Sequence, residues 1–208
     1  MTDQWYEGYG EPEWRDQTLH HVQNTLNTYS ETARHEFELV LGWMHEWACS
    51  RSFGLGSKLP CAPEFVIESL SDSTIYMAYY TVSHLLQGNI EGSVPGELNI
   101  TADELNDDIW NYILNITHTV PNNTSISQDK LIRLRNEFNY WYGIDLRVSG
   151  KDLINNHLTM SLYNHTAIWP DQPDKWPKSM FCNGYVSVDG AKMSMYCILY
   201  MQFMYNWY

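Results

Sequence analysis

The sequence predicts an α/β fold that is rich in helix, and three observations carry that expectation. Ile144-Asp145-Leu146-Arg147-Val148 alternates apolar and polar residues as a strand does. It runs through Ser149-Gly150-Lys151-Asp152 into a helical pattern that begins at Leu153. Strand, glycine turn and helix start form the ligand edge of an α/β sheet. Elsewhere, apolar residues recur at three- or four-residue spacing over long stretches, as in amphipathic helices. A length of 208 residues fits one domain, or one with a small appendage, and suffices to bury a core.

The remaining elements follow in order. Leu26, Tyr29, Ala33, Phe37, Val40, Met44 and Trp47 predict one long amphipathic helix. Gly54 and Gly56 end it, and Pro60 closes the exit. A second helix is expected from Ser73 to Leu86, with Ile75, Tyr79, Val82 and Leu86 on one face and Gly88 as its stop. Residues 88–101 read as a loop. Thr101-Ala102-Asp103-Glu104 reads as a helix start, with a threonine cap and acids near the positive end of the dipole. Residues 119–129 are turn material, and a third helix covers Asp129–Tyr142 through Leu131, Leu134, Phe138 and Trp141. Trp43, Trp141 and Tyr142 are expected in the core. A final strand is expected around Tyr185–Val188, with Asp189-Gly190 as a turn.

Composition bounds the function. The chain carries 25 acidic and 12 basic side chains, a formal charge of −13, which argues against gripping nucleic acid by charge. The layout is uneven. Residues 1–129 hold 19 acids and 4 bases, whereas residues 130–192 hold 6 acids and 8 bases, so an anion is to be sought after Lys130. The cysteines at 49, 61, 182 and 197 show no metal-binding spacing and read as thiols of a reducing compartment. No export signal is visible, so the sequons at Asn99, Asn115, Asn122, Asn123 and Asn164 are not expected to be glycosylated. No metal site is expected.

At the strand–glycine–helix turn, Gly150 would let a ligand approach the backbone and Asp152 could accept hydrogen bonds from ribose hydroxyls. An acid at that place is also a common helix cap. His157 lies further along the same helix and, taken alone, reads as a structural histidine. On periodicity alone, Leu70 and Tyr76 read as core.

Several segments together resemble one family. Asp3-Gln4-Trp5-Tyr6 is similar to the motif where class I aminoacyl-tRNA synthetases for branched aliphatic amino acids return from their editing insertion to the catalytic domain. Trp47-Ala48-Cys49-Ser50-Arg51 and the Gly54–Pro60 stretch resemble the segment that follows it. Ile67-Glu68-Ser69-Leu70-Ser71-Asp72-Ser73-Thr74-Ile75-Tyr76-Met77-Ala78 and Asp145–Leu153, with Asn156-His157-Leu158 behind, resemble leucyl-tRNA synthetases of the eukaryotic and archaeal, cytosolic type. Lys192-Met193-Ser194 looks like the opening of the KMSKS loop.

The resemblance implies a partial Rossmann-like class I catalytic domain. Residues 1–194 would be its C-terminal part, after the editing insertion, and 195–208 an atypical apolar tail. The implied reaction joins leucine and ATP, with Mg2+, into leucyl-adenylate and passes the leucyl group to tRNA(Leu) in the cytoplasm. It runs on positioning and charge stabilisation at phosphorus. By position, Leu70, Ser73, Tyr76 and His157 match the leucine pocket. Gly150 and Asp152 match the turn and acid that hold the ATP ribose. Lys192 and Ser194 match the catalytic loop that closes on the ATP phosphates.

The sequence also departs from the family pattern. It contains no HIGH-type motif, Met195 stands where the second lysine of KMSKS belongs, and Asn155 stands where proline is usual. The tRNA-binding domains have no counterpart. The chain alone is therefore expected to activate leucine negligibly, and pairing with an N-terminal half is one expectation. An inert truncated fragment, acting only as an interaction or complementing half, is the alternative. The tail 195–208 has only Gln202 and Asn206 as polar side chains and is too short to span a bilayer, which takes about 20 residues.

Overall fold

Two apolar clusters organise the chain, and one buried helix contributes to both. The computed structural model describes residues 4–185, 187, 188, 191 and 192. Ser194, the turn at Asp189-Gly190 and the tail 195–208 lie outside the described residues. In chain order, a short strand β1 (Tyr6–Glu7) leads to helices α1 (Pro12–Asn24) and α2 (Glu31–Trp43). Strands β2 (Trp47–Ala48), β3 (Ser50–Arg51), β4 (Lys58–Leu59) and β5 (Ala62–Ile67) follow. Three short helices come next: α3 (Ser69–Asp72), α4 (Tyr76–Tyr80) and α5 (Ser83–Leu86). Then come α6 (Asp107–Ile113), α7 (Gln128–Trp141), β6 (Arg147–Gly150), α8 (Thr159–Ile168), β7 (Met180–Asn183), β8 (Ser187–Val188) and β9 (Ala191–Lys192).

The α/β character resides in β6–α8–β7. The two strands pair in parallel, from Arg147 against Met180 to Gly150 against Asn183, with α8 in the crossover. Asn27 adds a parallel bridge beside Ser179 on the far side of β7. Its amide donates to the Lys178 carbonyl at 2.9 Å, and its carbonyl accepts from Met180 at 2.9 Å. The order across this small sheet is therefore the Asn27 segment, β7, β6.

Helix α8 is buried nearly all round, including Thr159, Ser161, His165 and Thr166. Buried polar groups need partners, and each of these four finds one, whereas the buried Tyr163 hydroxyl of the same helix does not. Thr18 and Thr166 share a 2.9 Å hydroxyl contact, and the Ser161 hydroxyl donates to the Thr74 carbonyl at 3.1 Å. His165 donates from Nδ1 to the Ser161 carbonyl at 2.6 Å and accepts at Nε2 from the Tyr142 hydroxyl at 2.6 Å. Met160, Leu162 and Tyr163 join the cluster made by α1, α2 and Met180. Trp169, just past the helix, joins the cluster made by α5, α6 and α7.

Several expectations are corrected. The long helix from Leu26 to Trp47 is only α2. Tyr29 adopts φ +57°, and Ser30 caps the helix by accepting from the Ala33 amide at 3.4 Å, so Leu26 is core by way of a loop. At the other end, Trp47 pairs with Glu7 as strand. Helix α1 has no strong apolar stripe and gave no signal, although Pro12 fits a first helical turn, where its missing N–H costs nothing. The expected helix Ser73–Leu86 is two short pieces, α4 and α5, preceded by α3. Thr101 and Glu104 form a capping box, but over a single 3-10 turn, and the helix proper starts at Asn106, which accepts from the Ile109 amide at 3.1 Å. The strand expected over Ile144–Val148 begins at Arg147. Tyr142 is buried, whereas Trp43 and Trp141 are more than half exposed.

Candidate functional site

Three of the segments carrying the family resemblance, those of Trp5, Trp47–Arg51 and Glu68, lie side by side. The Cys49 amide donates to the Trp5 carbonyl at 2.9 Å, and the Glu68 amide to the Cys49 carbonyl at 2.8 Å. The Ser50 hydroxyl accepts from the Trp5 amide at 2.9 Å. Strand β3 pairs antiparallel with β5, which delivers the chain to Glu68 at the head of α3.

Glu68 is a buried carboxylate at the start of that helix. It accepts from the Leu70 and Ser71 amides at 3.1 and 3.2 Å, and from Arg51 at 3.0 Å. Burial alone would raise its pKa. The Arg51 guanidinium, the two amides and the Trp47 indole more than reverse this and hold it below the ordinary glutamate value. Capping with a charged side chain fixes α3, and with it Leu70 and Ser73.

Past α3 the chain breaks instead of continuing as helix, and the cause is tertiary. The Ser73 carbonyl accepts from His157 Nε2 at 3.0 Å. Its neighbour Thr74 takes the Ser161 hydroxyl on its carbonyl, and the Asn164 amide on its own hydroxyl at 2.7 Å. Carbonyls committed to α8 and the turn before it are lost to a continuous helix. His157 sits in a π-helical turn, Ile154–Leu158, of the kind that aims side chains at functional sites.

This arrangement opens a cavity of about 610 Å³. Leu70, Ser73, Tyr76 and His157, the four side chains expected around leucine, all line it. Sequence reasoning had not singled out Arg147, Leu153, Asp72, Tyr80 and Ser57, which line it too. Arg147 stood in the strand pattern as its polar position, a signal that could have marked it. His157 is buried, and its pKa is lowered, first by burial and also by the Arg147 charge, against the raising effects of the Ser73 carbonyl and Glu68. The cavity therefore presents leucine and tyrosine surfaces, a neutral imidazole, an acid and a guanidinium.

The expected nucleotide edge adjoins it. Gly150 ends β6, and the chain turns at once into a 3-10 turn, Lys151–Leu153, whose last residue lines the cavity. The cap position is Gly150, so Asp152 is an exposed acid in the first turn and not the cap residue. Lys151 extends its ammonium over the Tyr185 ring, 5.1 Å from the centroid. A Cβ on Gly150 would lie 2.6 Å from Asp152 Oδ1, so Gly150→Ala is expected to displace that carboxylate while leaving the fold intact. Calorimetry should find the melting temperature of the variant nearly unchanged from wild type.

Lys192 is placed only as a residue of β9, paired with Ser187, and its companion Ser194 lies outside the described residues. Among the described residues no group of three His, Cys, Asp or Glu side chains is placed to hold a metal ion, and no helix is long and apolar enough to cross a membrane. Cys49, Cys61 and Cys182 are free thiols.

No family model matches the chain. Individual relatives do. It is 49% identical over 195 residues to the cytoplasmic leucine–tRNA ligase of Pongo abelii, an alignment covering 93% of this chain and 16% of the relative. With the cytoplasmic leucine–tRNA ligase of Dictyostelium discoideum it shares 50% over 196 residues, 93% of this chain and 18% of the relative. The Saccharomyces cerevisiae enzyme of the same name is 41% identical over 194 residues, 93% of this chain and 17% of that one. Among solved structures, Mycobacterium tuberculosis methionyl-tRNA synthetase bound by methionyl-adenylate superposes with a TM-score of 0.52 at 16% identity, covering 93% of this chain and 28% of that one. At that identity the likeness concerns the fold, and it agrees with the α/β unit of β6, α8 and β7. The chain spans less than a fifth of the length of these ligases, and over nearly all of its own length it is homologous in sequence to a segment of the cytoplasmic leucine–tRNA ligases.

Proposed function

We propose that this chain supplies the leucine cavity and part of the ATP edge of a leucine–tRNA ligase acting in the cytoplasm. The convergence of Leu70, Ser73, Tyr76 and His157 on one cavity supports this reading. Leu70 and Leu153 offer apolar surface to a branched aliphatic side chain, while Tyr76, Ser73 and the neutral His157 bound it. Gly150 and Asp152 receive the ribose at the carboxyl end of a parallel strand, where ligands of α/β sheets bind. Lys192 and Ser194 belong to the loop that closes on the phosphates, and Mg2+ arrives with ATP. Residues 1–194 then form the C-terminal part of the catalytic domain, with tRNA(Leu) as the acceptor of the leucyl group.

Leucine-dependent ATP–pyrophosphate exchange tests the reading. The 208-residue chain alone should exchange negligibly, and adding a polypeptide that carries the HIGH-type half of the nucleotide fold should restore it. Exchange by the chain alone at a full-length enzyme's rate contradicts the dependence on that half. Association without any restored exchange contradicts the ligase reading and favours an interaction fragment.

A further inference from the structure

Arg147 and His157 form a pair whose chemistry admits a single protonation state. Arg147 reaches from β6 into the cavity and places its guanidinium 3.3 Å from His157 Nδ1. A guanidinium has donors only, so Nδ1 must offer its lone pair. On the other side, Nε2 lies 3.0 Å from the Ser73 carbonyl, which can only accept, so Nε2 must carry the hydrogen. Both partners therefore select the same neutral tautomer. Protonation of Nδ1 would set two cations against each other at hydrogen-bond distance.

The charges acting on the ring are Arg147 on β6 and Glu68 at the head of α3. Asp72 at the end of α3 lines the same cavity. Among the described residues no carboxylate lies within ion-pair distance of Arg147. The guanidinium is thus committed to the imidazole. Ser161 and Asn164 hold Thr74, which leaves the Ser73 carbonyl to His157 alone.

We propose that Arg147 is a positioning residue of the cavity: by donating to His157 Nδ1 it fixes the Nε2–H tautomer, which in turn holds Ser73 and the break between α3 and α4 in a leucine-binding shape. The proposal rests on the leucine reading given above for its purpose, and on the pair's geometry for its mechanism. It also accounts for an arginine at the polar position of a parallel strand, where β6 turns its side chain toward the π-helical turn.

Imidazole nitrogen NMR on the full chain across a pH series tests it, with leucine titrated in parallel. Wild-type His157 should show the Nε2–H tautomer with a hydrogen-bonded Nδ1. Arg147→Met removes both the donor and the charge. Its Nδ1 resonance should move to that of a lone pair lacking a donor, and its titration midpoint should rise toward the ordinary histidine value. Leucine affinity should fall about five- to tenfold, the worth of one hydrogen bond. Arg147→Lys keeps a donor and the charge, so its midpoint should stay low and most of the affinity should return. An Nδ1–H tautomer in wild type overturns the proposal and needs no variant to fold. So does a folded R147M chain whose Nδ1 signal, midpoint and leucine affinity are all unchanged. If wild type shows the expected tautomer yet does not bind leucine, the leucine reading fails on its own and takes with it the purpose assigned to Arg147.

Discussion

Replacing Glu68 with alanine is expected to lower the unfolding free energy by about 3 kcal/mol, the cost of leaving several buried donors without their charged acceptor. Truncation strands the Leu70 and Ser71 amides, leaves the Trp47 indole N–H without its 3.4 Å contact and frees Arg51. Glu68→Gln retains one acceptor oxygen but loses the charge, and should cost less. The sign of the pH effect follows from the depressed pKa. The contribution of Glu68 is complete above the unfolded glutamate value of about 4.3 and is lost as pH falls through the lower folded value. Because Glu68 anchors α3, both variants should weaken ligand binding at Leu70 and Ser73 in proportion to their effect on the fold. Urea unfolding at pH 7 measures the first effect; equal midpoints for wild type and E68A would show that the cap is dispensable.

Acid should destabilise the chain in a higher pH window through its buried histidines. His165 is fully buried, and His21 nearly so, with Nε2 donating to the Pro177 carbonyl at 3.0 Å. Burial lowers both from the usual 6.5 to about 4. His165 has no room for a second proton, because Nε2 accepts the Tyr142 hydroxyl, whose own pKa burial raises. The unfolded chain takes up these protons below pH 6.5 while the folded chain refuses them until about pH 4. Stability is therefore full above 6.5 and declines between 6.5 and 4. Each shift is worth about 3 kcal/mol, and the loss at pH 4.5 should approach 5 kcal/mol for the two together. His157 adds to it in the same direction. Unfolding free energies measured from pH 7.5 to 4.5 should fall continuously below 6.5, and a flat profile would mean that these rings are protonated in the fold.

The parts of this architecture that were legible in the sequence are those whose own periodicity decided them. Helix α7 lies within one residue of its expected limits because Leu131, Leu134 and Phe138 form a continuous stripe. The order of strand, Gly150 turn and helix was legible because alternation gives way to a glycine. Strands β1 to β4 were not, since two-residue strands hold no period; β1, β2 and β3 also take their partners from segments further off in the chain, while β4 pairs with the adjoining β5. The break after α3 could not be read either, because it is imposed by His157, Ser161 and Asn164, some eighty or ninety residues away. At the site, periodicity assigned Leu70 and Tyr76 to the core, and only the family resemblance pointed to a pocket. Tyr76 is 39% exposed, which is incompatible with the core reading. The same long-range bonds bear on the sequons. The Asn164 carboxamide is bound to Thr74, and that of Asn115 to Arg135 and Gln172, so neither is presented for modification.

The acidic charge of −13 takes on a different meaning beside the cavity. Residues 1–129 hold the excess of acid, and the bases beside the cavity, Arg147 in β6 and Lys151 in the turn, come after that excess stops.

The most direct test of the central claim is a titration of the isotope-labelled chain with L-leucine and with L-valine, followed residue by residue by NMR. Leucine should shift the signals of Leu70, Ser73, Tyr76 and His157 together, at concentrations about tenfold below those at which valine does so, since one methylene in an apolar pocket is worth about 1–3 kcal/mol. Shifts absent from these four residues, or identical for the two amino acids, would contradict the assignment of this cavity to leucine.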